Sequence, residues 1–181
     1  MILAEIGTHS YHLLRYVTNL EAKEISAEVN SLSSEISVDD NAFLILRMNN
    51  KARASIWVSS AATGGENGLK IRVYGTKGAV EWFQDEPNHL KFTELNKSTK
   101  IITRASNDVS DFSLKSSRLA AGHPEGFFEA FSNIYTEFAD CILSNNKTNH
   151  TFPNIEDGVK GIKFIFAAKK SSNNNSKWEK I

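Results

Sequence analysis

Ala42-Phe43-Leu44-Ile45-Leu46 is a continuous apolar run, followed by Arg47-Met48-Asn49-Asn50. Such a run predicts a central strand buried on both faces. Asn49-Asn50 predicts a tight turn, because asparagine tolerates positive φ. The chain then returns as a strand from Ala52 to Ala61, with Ile56 and Val58 on one face and Arg53, Ser55, Trp57 and Ser59 on the other. Upstream, Ile25, Ala27 and Val29 alternate with Ser26, Glu28 and Asn30, which predicts a strand with one polar face. Downstream, Gly64-Gly65-Glu66-Asn67-Gly68 reads as a loop. Strands follow at Leu69 to Gly75, Gly78 to Phe83, His89 to Leu95 and Lys100 to Thr103. Together these predict one meander of roughly seven strands.

Helical patterns flank the meander. Residues 8 to 18 carry Leu13, Leu14 and Val17 at helical spacing. Thr8 is the expected N-cap, Gly7 the expected turn before it, and Asn19 the end. Residues 104 to 121 are polar and serine-rich, and read as a long surface loop with room for one helical turn. Pro124 and Glu125 suit a helix first turn. Phe127, Phe131, Ile134, Phe138 and Ile142 then form a stripe expected to be core. Asn154 is the expected N-cap of a last helix, with Val159, Ile162, Phe166 and Ala167 on its apolar side. Ser171 to Ser176 reads as a polar tail, with Trp178 folding back onto the body. The order of helix, strands and helices predicts an α+β fold over residues 1–181 as a single domain: an open, mainly antiparallel β-sheet with helices packed on one face.

Composition narrows the function classes. Lys plus Arg and Asp plus Glu are 21 each, so there is no net field to attract nucleic acid or an anionic membrane. The single cysteine, Cys141, excludes an intrachain disulfide framework and a cysteine-based zinc cluster, and suits a cytoplasmic protein. Met1-Ile2-Leu3-Ala4-Glu5 lacks the pattern of a signal peptide, and no apolar run approaches the roughly 20 residues of a membrane span.

Chemistry concentrates in two places. Glu5-Ile6-Gly7-Thr8-His9-Ser10-Tyr11-His12 puts a carboxylate and two imidazoles at helical spacing. A carboxylate beside a histidine can hold one tautomer and tune its basicity for acid–base work. A lone His-x-x-His with an acid does not define a metal site, and no metal is expected. Gly122-His123-Pro124-Glu125-Gly126 brackets a histidine and a glutamate with glycines at a helix entrance, which reads either as a ligand-approach site or as a capped helix start. Gly64-Gly65-Glu66-Asn67-Gly68 sits between strands and is no dinucleotide fingerprint. Gly75-Thr76-Lys77-Gly78 has the spacing of a hairpin and not of a phosphate loop.

Taken together, Glu5-Ile6-Gly7-Thr8-His9, Val73-Tyr74-Gly75-Thr76-Lys77-Gly78-Ala79, Gly122-His123-Pro124-Glu125-Gly126, Ala130-Phe131-Ser132-Asn133-Ile134-Tyr135 and Asp157-Gly158 resemble the C-terminal domain of the glucose–fructose oxidoreductase, inositol dehydrogenase and MocA (Gfo/Idh/MocA) family over nearly all of the chain. The resemblance implies that a full-length parent binds NAD or NADP in an N-terminal Rossmann domain, and that this chain begins at the domain junction and binds no cofactor of its own. The chain contains no Gly-x-Gly-x-x-Gly unit and no Glu-Lys-Pro segment, the family motif whose lysine assists catalysis. It further implies that His9 is the catalytic acid–base group, with Glu5, His12, His123 and Glu125 binding substrate, a sugar or cyclitol. Glu5 stands where the family motif Asp-x-Gly-x-His has aspartate, and the extra methylene moves the carboxylate by roughly 1.5 Å. Related domains associate through the open sheet face, which implies a homodimer or tetramer. The alternative function is a stand-alone, non-catalytic ligand-binding or scaffolding domain.

Overall fold

The computed structural model describes residues 1–35, 37–144 and 150–181. The chain forms two compact units, Met1–Glu66 with Pro153–Ile181, and Asn67–Phe152.

The first unit begins with a π-helical turn, Leu3–Gly7, that runs directly into helix α1, Thr8–Thr18. Its first N–H groups are satisfied from a distant loop: Ile2 N donates to the Asp39 carbonyl at 2.9 Å and Leu3 N to Asp39 Oδ2 at 3.0 Å. Thr8 is therefore not an N-cap. Its hydroxyl donates back to the carbonyls of Ala4 and Glu5, both at 2.9 Å, in a helix already under way. Nor does Gly7 make a turn, since it is helical at φ −60°. A Cβ there would sit 3.1 Å from Leu3 Cδ1 and 3.7 Å from Phe164 Cε1, so close packing is what its missing side chain permits. Asn19 ends α1 as expected, in the left-handed region with its N–H on the Arg15 carbonyl at 2.8 Å.

Strands β1 (Ala22–Asn30), β2 (Asn41–Met48), β3 (Arg53–Ser59) and β8 (Glu179–Lys180) form an antiparallel sheet in the order β3-β2-β1-β8. The turn after β2 lies where expected, but the left-handed residue is Lys51, at φ 71°. Helix α4, Ile155–Asn173, opens with the expected cap: Asn154 Oδ1 accepts from Glu156 N at 2.8 Å and Asp157 N at 3.1 Å. It runs further than the sequence suggests. Ser171 and Ser172 lie inside it and accept the β1 amides of Ala27 and Val29 at 2.9 and 3.0 Å. Trp178 does fold back, with the Arg47 guanidinium 3.9 Å from its ring centroid.

The core lies between this sheet and the helices. Ile25, Ala27, Ala42, Leu44, Leu46, Ile56 and Val58 face Leu3, Tyr11, Phe164, Ala167 and Ala168. Phe164 stacks on Tyr11 with centroids 4.3 Å apart and an interplanar angle of 6°. β2 is central, but not buried on both faces. Phe43 and Ile45 are 52% and 51% exposed, because the helices cover only one side. On the open side Trp57 lies parallel to Phe43 at 5.7 Å and donates from Nε1 to Asn41 Oδ1 at 3.0 Å.

The second unit holds β4 (Lys70–Tyr74), β5 (Gly78–Phe83), β6 (His89–Glu94) and β7 (Lys100–Thr103), an antiparallel meander in chain order. β3 and β4 do not pair, so the single meander expected from the sequence is two four-stranded sheets. Gly78 is required by close approach, as a Cβ there would lie 2.5 Å from the Thr93 carbonyl oxygen. Within 104–121 the expected helical turn is α2, Asp111–Lys115, capped by Ser110. Helix α3, Phe127–Leu143, starts after Pro124 and Glu125 rather than on them. Its apolar stripe is not core. Phe127, Phe131, Ile134, Phe138 and Ile142 are all exposed. The physical reason is that, among the described residues of its own unit, α3 makes no extended packing with another element, and its aromatics meet mainly one another, as in Phe127 with Phe131 at 4.7 Å. Both units are mainly antiparallel sheet with helices, so the α+β class stands. No helix among the described residues is long and apolar enough to cross a membrane.

Candidate active site

Glu5 sits in the π turn, and His9 and His12 in the first turns of α1. Glu5 and His9 are exposed, and His12 is half-buried with its ring 6.4 Å from that of Tyr16. Successive spacings of three and four residues place His9, His12 and Tyr16 along one side of α1. π turns recur at functional sites, and this one precedes His9 directly. Among the described residues no group of three His, Cys, Asp or Glu is arranged to hold a metal ion.

Behind this face lies a charged clamp that the sequence reading missed. Arg15 is 8% exposed and donates from Nε and Nη2 to both Glu21 carboxylate oxygens at 2.9 Å, and from Nη2 to Asp157 Oδ1 at 3.0 Å. Lys160 Nζ donates to Glu21 Oε1 at 2.7 Å. The clamp ties the C-terminal end of α1 to the N-terminal end of α4, and so fixes the helix that carries His9. Planar, bidentate pairing of this kind is what arginine supplies and lysine does not. Arg15 and Asp157 are 142 residues apart, so no local pattern announces the pair.

The Arg15 hydrogen bond, with help from Lys160, holds the Glu21 carboxyl down to about 2. Asp157 is also held below its ordinary value, first by the Asn154 N–H and then by Arg15. Carboxyls with depressed folded values stabilise the fold above their unfolded values and lose that contribution as pH falls. Stability should therefore be level above about pH 5 and fall through the window from about 4.5 down to about 2. Urea midpoints measured across that window check this. Glu21→Gln should flatten the acid slope, and an unchanged slope would remove Glu21 from its cause.

His123 and Glu125 belong to the second unit. His123 is exposed, whereas the Glu125 side chain is 7% exposed and paired with Arg104 Nη1 at 3.1 Å. Arg104 also donates to Asn88 Oδ1 and to the carbonyls of Leu119 and His123, and Leu119 N donates to the Glu125 carboxylate. Asn88 closes the turn from the other side, giving Nδ2 to the Glu125 carbonyl at 2.9 Å and accepting from Glu125 N at 3.1 Å. The Gly122–Gly126 stretch is thus a braced turn, with the Glu125 carboxylate committed inward and the His123 ring free to face outward.

The comparisons with known proteins fit this fold. The sequence profile described as "Oxidoreductase family, C-terminal alpha/beta domain" matches residues 1–180. The chain belongs to the Gfo/Idh/MocA oxidoreductase family, as its C-terminal alpha/beta domain. It is 30% identical over 185 residues to the uncharacterized oxidoreductase YfiI of Bacillus subtilis, covering 98% of this chain and 47% of that protein. An oxidoreductase from Sinorhizobium meliloti shares 40% identity at a TM-score of 0.92, over 96% of this chain and 51% of its own. An inositol dehydrogenase homolog from Azotobacter vinelandii, complexed with NADH and myo-inositol, shares 28% identity at a TM-score of 0.93, over 99% and 50%. The chain thus spans about half the length of the relatives it matches.

Proposed function

We propose that this chain is the substrate-side and oligomerisation half of an NAD- or NADP-dependent sugar or cyclitol oxidoreductase, cytoplasmic in keeping with its lone free thiol. The observation that carries the reading is the likeness, at 28% identity and a TM-score of 0.93, to a protein complexed with NADH and myo-inositol. His9 is the acid–base group: an imidazole nitrogen takes the proton of the substrate hydroxyl that is oxidised. Glu5 and His12 hydrogen-bond neighbouring hydroxyls, with Glu5 in the place of the family aspartate. His123 binds substrate from the braced turn, and Glu125 contributes by holding that turn through Arg104. The nucleotide is assigned to the other half. The glycine turns of this chain at Gly64–Gly68 and Gly75–Gly78 join strand to strand and do not fit a pyrophosphate, which needs a strand–turn–helix cradle. Joined to a nucleotide-binding half, the protein should reduce NAD or NADP when given a cyclitol or sugar. Failure across a panel of both would overturn the reading.

The open face of the first sheet serves assembly. Phe43, Ile45 and Trp57 are a contiguous exposed apolar patch, and charge-poor aromatic patches suit protein interfaces. Light scattering over a concentration series should give a homodimer, or a tetramer built from two such dimers. Trp57→Arg should weaken it by about tenfold or more, and a monomer persisting at high micromolar concentration would count against this assignment.

A further inference from the structure

We propose that the charged end of the first sheet is an anion site for a small molecule bearing a phosphate or pyrophosphate group. An open groove of about 660 Å³ is lined there by Lys23, Arg47, Lys51, Arg53 and Lys180, with Glu24 as the one acidic side chain in the lining. The strand register explains the gathering. Lys180, Glu24, Arg47 and Arg53 are cross-strand partners in a single row over β8, β1, β2 and β3, at the end of the open face, one same-face row beyond Ile45 and Ser55 and outside the Phe43–Trp57 patch assigned to assembly. Five cationic side chains against one acidic side chain and the α-carboxylate of Ile181 leave an excess of three positive charges, in a chain whose formal net charge is zero. Glu24 is already engaged by Arg47 Nη1 at 2.9 Å.

The two arginines are held in place. Arg47 lies over the Trp178 indole at 3.9 Å and is pinned by Glu24, with Nε and Nη2 left without a partner among the described residues. Among the described residues, Arg53 gives only Nη1 to the protein, donating to the carbonyls of Lys51 at 2.8 Å and Ala52 at 3.1 Å. Among the described residues, Lys23, Lys51, Arg53 and Lys180 have no carboxylate partner. Fixed guanidinium forks match phosphate oxygens in bidentate fashion, and neighbouring lysines add charge without demanding geometry. The groove volume lies within the range of small-ligand sites, roughly 300–1,000 Å³. A multivalent anion would relieve the mutual repulsion of the cations, which Glu24 offsets only at Arg47.

The test titrates inorganic pyrophosphate, orthophosphate and sulfate into the chain at low ionic strength, by calorimetry and by tryptophan fluorescence. Pyrophosphate should bind one-to-one and more tightly than sulfate, and weaken as salt rises. Arg53→Gln and Lys51→Gln should each lower its affinity by about tenfold with the thermal midpoint unchanged. Trp178→Phe should remove the fluorescence change and keep the heat. Should an arginine variant fail to fold, Lys180→Gln on the two-residue strand β8 carries the same expectation. The proposal is overturned by no saturable heat up to about 10 mM pyrophosphate, or by unchanged affinity in the Arg53→Gln/Lys51→Gln double variant. Equal binding of a DNA duplex or anionic vesicles would overturn it too, by assigning the surface to polyanions at large. None of these outcomes depends on the reaction proposed for His9.

Discussion

Phe164→Ala is expected to lower the unfolding free energy of the first unit by about 3–5 kcal/mol. Phe164 is fully buried and stacked on Tyr11 at 4.3 Å. Gly7 and Leu3 pack close by, and the strands supply Ile25, Leu44 and Leu46 to the same core. Those strand residues are tied into the hydrogen-bonded ladder, so truncation leaves a void that the sheet is poorly able to fill. The cost then includes a cavity term beyond simple transfer. Phe164→Leu keeps most of the volume and should cost roughly 1–2 kcal/mol. Urea unfolding followed by tryptophan fluorescence measures both. A loss under about 1 kcal/mol for the alanine variant would show that the layer between α4 and the sheet is not what holds the unit together.

His9→Ala, in the protein that carries a nucleotide-binding half, is expected to reduce turnover by about a hundredfold or more. The expectation rests on the acid–base role proposed above. His9 is exposed, so the same change should leave thermal stability within about 0.5 kcal/mol. That contrast separates chemistry from folding. Glu5→Gln should raise KM more than it lowers kcat if the carboxylate holds hydroxyls in both ground and transition states. Unchanged turnover in His9→Ala would leave His9 a surface residue of α1.

The elements of this fold were legible wherever local pattern decides them. α1 and its Asn19 end, the Asn154 cap and the eight-residue strand β2 follow from periodicity and caps that act over a few residues. What escaped depends on partners far away in the chain. Asp39 caps the first helical turn across 36 residues, which no reading of Gly7-Thr8 reveals. Arg15 finds Asp157, and Asn88 finds Glu125, by tertiary packing alone. The run Ala42–Leu46 misled for a related reason. Five apolar residues suit a strand covered on both faces, but this chain's helices cover only the other face and leave Phe43 and Ile45 half open. The candidate site residues stood out by their spacing, and the roles proposed for them came through the resemblance. Their spacing placed His9 and His12 on one helix, and gave no hint of the π turn beneath Glu5.

That π turn has an evolutionary reading. It accommodates about one residue more than an α turn. Losing a single residue between Leu3 and Gly7 would let it close as ordinary α-helix, with the chain on either side kept near its present alignment and only the residues within the turn re-aimed. The backbone would absorb this easily, because Asp39 caps the start from outside and not from within the turn. The acid would not be so indifferent, since its direction relative to His9 is set by the length of this turn as much as by its own identity. A relative with a one-residue gap here can therefore align letter for letter at its histidine and still present its carboxylate to a different part of the substrate.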